Sequence, residues 1–179
     1  MVKTCWRTST CSAKSSSTYK VVTEFLVSTL RAIADQMAVA PLTTAARVPG
    51  VQNVYRLTIR YHDRRCRDSV ATILQSRTMG ITMQIAYRGL DHDRAFQHTV
   101  TPQAYTSFHA LAQRIGFDKL PDQPDITAHG LDLWLLERAS VMFYKSVIFS
   151  PDEAEGTYLR LVDGLRAHLP EALRHITLR

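Results

Sequence analysis

Six arginines, Arg56, Arg60, Arg64, Arg65, Arg67 and Arg77, crowd one short stretch of the chain. Guanidinium groups at this density can hold phosphates or another anionic surface. Arg60, Arg64, Arg65 and Arg67 are the residues an anion- or nucleic-acid-binding function would use. Two features weigh against it. Sheets that bind nucleic acid add exposed aromatics for stacking, whereas Tyr55 and Tyr61 fall on the opposite, core-like side of the strand that carries Arg56 and Arg60. Asp63 and Asp68 also dilute the charge locally. A solvated charged face is the simpler account, and nucleic acid is not the expected partner.

Other reactive side chains are fewer. Cys66 sits among Arg64, Arg65 and Arg67, which would lower a thiol pKa, and His62 is near in sequence. Proximity within a loop is weak support for a Cys–His pair, so a bystander cysteine is expected. Asp91-His92-Asp93 with His98 has nitrogen and oxygen donors for a metal. No HExxH, HxH or acid-rich calcium loop accompanies them, and a polar hairpin turn explains the same residues. GxSxG, P-loop, GxGxxG and kinase patterns are absent, and His129, Asp132 and Glu137 are scattered. No catalytic residue, no metal and no cofactor is therefore expected, and an enzyme ranks third among the functions the sequence suggests.

The elements that must position these residues follow from composition and pattern. With 179 residues and 45% hydrophobic content, the chain can form one globular domain plus an extension. No run approaches the ~18 apolar residues of a membrane span. The odd cysteine count (Cys5, Cys11 and Cys66) argues against a complete disulfide framework. The net charge of +6 is uneven: the first 78 residues carry twelve Lys/Arg against four acids, the remainder ten against twelve.

Residues 1–23 are basic, rich in Ser/Thr and free of acids, and run into an amphipathic pattern at Val21, Val22, Phe25, Leu26, Leu30, Ile33 and Met37. Three readings stand side by side: an import or export leader within residues 1–40, a docked N-terminal helix, and a non-native or disordered tail. Compartment is left unassigned. Residues 41–53, with Pro41, Pro49 and Gly50, read as a linker. The expected division is 1–50 as leader, helix and linker, and 51–179 as a single α+β domain.

Within that domain Val54–Tyr61 alternates as a strand, and Ser69–Ser76 reads as a short helix behind Asp68. Ile81–Tyr87 and Ala95–Val100 read as a hairpin. A helix from Thr101-Pro102 to Gly116 follows. Leu131–Arg138 and Val141–Phe149 read as a second hairpin around Ala139-Ser140. Ser150-Pro151-Asp152-Glu153 is a capping box for a last helix, in which Gly156 and Gly164 are weak points. Leu173 and Ile176 are expected to tuck a short tail onto the core. Thr101-Pro102 with Leu120-Pro121 recurs as Ser150-Pro151 with Leu169-Pro170, 49 residues on. The resulting expectation is an antiparallel sheet of about five strands with two helices on one face, a strand-strand-helix unit occurring twice.

The second hairpin is apolar on both faces, so something besides the two helices must cover it. The residue 21–37 helix, a second copy and another partner are the candidates. The preferred function is a non-enzymatic module that binds a protein partner, a second copy or a small ligand through Trp134, Leu136, Tyr144 and Ile148, taken to point the same way from adjacent strands. Anion binding by the arginine cluster is the alternative.

Overall fold

The computed structural model describes residues 13–90, 95–126 and 130–178. The alternating segments pair into one antiparallel sheet of six strands: β1 (Val51–Arg60), β2 (Ser69–Ser76), β3 (Gly80–Tyr87), β4 (Phe96–Thr99), β5 (Leu133–Ser140) and β6 (Phe143–Phe149). Their order is β4-β3-β2-β1-β5-β6, so the later hairpin joins the earlier meander along β1. The α+β class is as expected. The extra strand is β2, the segment read as a helix. Sandwiched between β1 and β3, it is buried on both faces and therefore lacks alternation. Asp68 caps no helix there; one carboxylate oxygen accepts from the Tyr61 N–H and the other meets Arg88.

Helices α3 (Pro102–Arg114) and α4 (Gly156–His168) cover one face. Tyr105, Phe108, Leu161, Val162 and Leu165 pack there on Tyr55, Leu57, Ile73, Ile85 and Trp134. The start of α3 is as expected: Thr101 Oγ1 accepts from the Ala104 N–H at 3.2 Å, and Gly116 follows the helix at φ 69°. The start of α4 is not. The helix begins at Gly156, five residues after Pro151. Gln123 intervenes: its Oε1 accepts from the Ser150 N–H at 3.0 Å and its Nε2 donates to the Glu153 carbonyl at 2.9 Å. The segment expected to form the capping box is instead strapped to a loop. Gly164 is a contact point, since a Cβ there would lie 2.0 Å from Leu111 Cδ2 of α3.

The other face is covered by α1 (Ala13–Gln36) and the short α2 (Leu42–Ala46), which occupies part of the expected linker. Leu26 and Leu30 pack with Leu133, Leu135 and Ile148. Ile33, Ala34 and Met37 pack with Val70, and Leu42 and Ala46 with Val51, Val54 and Ala139. The sheet is therefore the middle of three layers, and both helices on the leader side of Pro49-Gly50 are seated on it. This is why the second hairpin is apolar on both faces. At the C-terminus, Leu173 and Ile176 pack on the core as expected. The Arg67 N–H donates to the Ile176 carbonyl and the Leu178 N–H to the Arg65 carbonyl, both at 2.9 Å.

Candidate functional site

The four residues of the second hairpin do not share a face. Trp134 pairs with Phe149 and Leu136 with Val147, while Leu135 pairs with Ile148 and Ala139 with Tyr144. The turn is Val141-Met142, two residues past the expected position. A two-residue turn sets even-numbered residues of β5 beside odd-numbered residues of β6, and directly opposed residues point the same way. Trp134 and Leu136 therefore enter the core under α3 and α4, with Trp134 only 7% exposed. Ile148 lies buried under α1. Tyr144, exposed at its outer edge, donates to Glu137 Oε1 and accepts from Arg31. Burial, with Glu137 beside it, pushes the Tyr144 phenol up to about 12.

The arginines are partly gathered. Arg60 ends β1, the loop after it carries Arg64 and Arg67, and Arg88 follows β3. These four line one hollow of about 540 Å³, together with Tyr61, His62, Cys66 and Asp68. Three of them have a local reason for their place. Arg64 is held at φ 56°. The Arg67 guanidinium donates to the Arg88 carbonyl at 2.8 Å. Gly89, at φ 75°, leaves room for it, since a Cβ there would come within 2.7 Å of Arg67 Nη1. Arg88 meets Asp68 at 3.1 Å. Arg60, Arg64 and Arg67 have no ion pair among the described residues, which leaves three guanidinium charges around the hollow without a carboxylate partner.

Arg65 turns away from the hollow, toward Asp63 at 2.6 Å and Asp132 at 3.8 Å. Arg56 is buried beneath α1, and Arg77 lies at the far end of β2, where its N–H donates to the Gly50 carbonyl. Arg88 was missed by sequence reasoning. The signal was available once residues 69–76 are read as a strand, because the Ser69–Tyr87 pair then brings Arg88 back to Asp68.

The arginines beside Cys66 in sequence do not set the pKa of its thiol. It is 8% exposed and bridges to Thr177 of the tail, and burial pushes its thiol up, outweighing the pull of Arg65. His62 is held by Asp132, which accepts from its N–H at 2.9 Å and lies 3.0 Å from its Nδ1. Asp91, His92 and Asp93 lie outside the described residues. His98 stands 3.8 Å from Glu171, and no group of three or more His, Cys, Asp or Glu side chains suited to a metal occurs among the described residues. No described helix is long and apolar enough to cross a membrane. Comparison with protein-family models, curated proteins and solved structures returns no match.

Proposed function

We propose that the chain is an anion-binding protein whose site is the arginine hollow, and that its ligand is a compact phosphorylated molecule. One observation carries this: Arg60, Arg64, Arg67 and Arg88 line one concavity, against the single carboxylate of Asp68 among the residues that line it. Arginine forks match phosphate oxygens bidentately and keep their charge at any physiological pH. A concave site with the volume of a small-ligand pocket suits a compact anion better than an extended strand. The protein-partner function needs Trp134 and Leu136 on open surface, and their burial in the core removes the ground for ranking it first.

The test is calorimetric titration of the full chain with inorganic pyrophosphate at near-physiological salt, where weak surface binding is largely screened. Arg64→Glu should weaken binding at least about tenfold, or ~1.4 kcal/mol. Arg65→Glu should leave it nearly unchanged, because Arg65 is turned to Asp63 and Asp132. Equal losses in the two variants would mean diffuse charge rather than a site, and absent binding in the parent would end the proposal.

A further inference from the structure

A second hollow, of about 220 Å³, opens between the C-terminal end of α1, the segment leading into α2 and the middle of the sheet. It is lined by Arg31, Asp35, Thr43, Arg56, Glu137 and Tyr144. Arg56 and Glu137 are cross-strand partners on β1 and β5, each only 4% exposed. Two charged groups at the centre of a sheet are costly to desolvate unless each is directly compensated.

Glu137 is compensated: Arg31 Nε donates to its carboxylate at 3.1 Å, and Tyr144 donates to the same oxygen. Arg56 is not. Its Nε donates to Thr72 Oγ1 at 3.2 Å and one terminal nitrogen to the Ala40 carbonyl at 2.7 Å. No carboxylate lies within ion-pair distance of it among the described residues. The other terminal nitrogen, Nη1, has no hydrogen bond among the described residues. Asp35, in the last turn of α1, also lines the hollow and also has no ion pair among the described residues. The negative end of the helix dipole reinforces its charge. One small hollow thus offers a buried cation and, at its wall, an uncommitted anion.

We propose that this hollow is a binding site for a small zwitterion, a free α-amino acid, with the ligand carboxylate on Arg56 and its ammonium at Asp35. A site that pairs both ends disfavours analogues that lack either one: without the carboxylate the buried Arg56 guanidinium keeps a donor unpaired, and without the ammonium Asp35, on the exposed rim, gains no partner. At about 220 Å³ the hollow is below the usual range of small-molecule pockets, which points to a ligand the size of glycine, alanine or serine. The site shares no lining residue with the arginine hollow, so its test is independent of that proposal.

The experiment is calorimetric titration of the full chain with glycine, L-alanine and L-serine, beside their N-acetyl and methyl-ester counterparts. Binding of at least one free amino acid is expected, weakened at least about tenfold by either modification. Asp35→Asn, at an exposed position that leaves the core untouched, should weaken it similarly, while Arg64→Glu should not. If the N-acetyl compounds bind as tightly as the free amino acids, the site is a carboxylate site and the zwitterion assignment is wrong. Unchanged affinity in Asp35→Asn, or no binding of any of the three amino acids, would overturn the proposal outright.

Discussion

His109 shows how a side chain's chemistry is set by partners distant in sequence. Its Nδ1 lies 2.8 Å from the Tyr55 hydroxyl, its Nε2 lies 3.2 Å from Gln113, and its ring stacks on Tyr105 at a centroid distance of 5.9 Å. Burial, reinforced by Arg138, lowers its pKa from the ordinary 6.5. An unfolded chain then takes up a proton at His109 before the folded one does. The associated stability is full above about pH 6.5 and is lost as pH falls toward the depressed folded value. Urea midpoints measured down through this range should fall, and His109→Asn should flatten that dependence; an unchanged slope would remove His109 as its source. The Tyr55 face was legible from alternation, but its histidine was not, because nothing in a strand's period names its partner on a helix. The thiol of Cys66 is likewise set by residues distant in sequence. The arginine charges beside it are visible in sequence, whereas the burial that outweighs them comes from tail residues more than a hundred positions later.

Secondary structure was legible where residue types alternate or stripe. β1, β3 and α3 do so, β1 even though both its faces are buried, because Arg56 and Thr58 interleave with Tyr55, Leu57 and Ile59; these and the strand at 96–99 lie near their expected places. β2 and the start of α4 were not legible. The first is buried on both faces, and the second depends on Gln123, contributed by a loop from the other side of β5 and β6. Gly164 is the informative residue at this level. By helix propensity, Gly164→Ala would gain about 1 kcal/mol. Against that, the added methyl meets Leu111 at 2.0 Å, and overpacking of this kind commonly costs about 1–3 kcal/mol. Chemical denaturation should show Gly164→Ala destabilised on balance. In a Leu111→Ala background the same change should turn neutral or stabilising, and a stabilised single variant would show that the helices can part at no cost.

For the whole molecule, the three layers depend on α1. Leu26, Leu30 and Ile33 are each at most 4% exposed, and full burial of such side chains is worth about 2 kcal/mol apiece. Together they approach the total stability of an ordinary domain, about 5–15 kcal/mol. Residues 51–179 read as self-sufficient in sequence; the packing weighs against it. A chain lacking residues 1–47 should associate by light scattering and lose its cooperative denaturant transition, because Leu133, Leu135, Ile148 and Val70 are uncovered. A monomeric truncated chain with an unshifted midpoint would show α1 to be dispensable. The need for a cover was readable from a hairpin apolar on both sides. Its identity was not, since an amphipathic helix and a second subunit supply the same kind of surface.

The strand order also has a kinetic consequence. β1 through β4 can zip locally as a meander, and β5 with β6 as a hairpin, each closing only short loops. The line where these two pieces meet joins Val54 to Ala139 and Arg60 to Leu133, so it waits on closure of a long stretch of chain. Arg56 and Glu137 face each other across that line. Until it zips, each is a hydrated ion on a separate half-sheet, and both must shed water at the moment the halves join. The joining of the halves, which carries that desolvation cost, is therefore the step expected to limit folding. Half-sheets arrested just short of it would display the open flanks of β1 and β5 to any neighbouring chain.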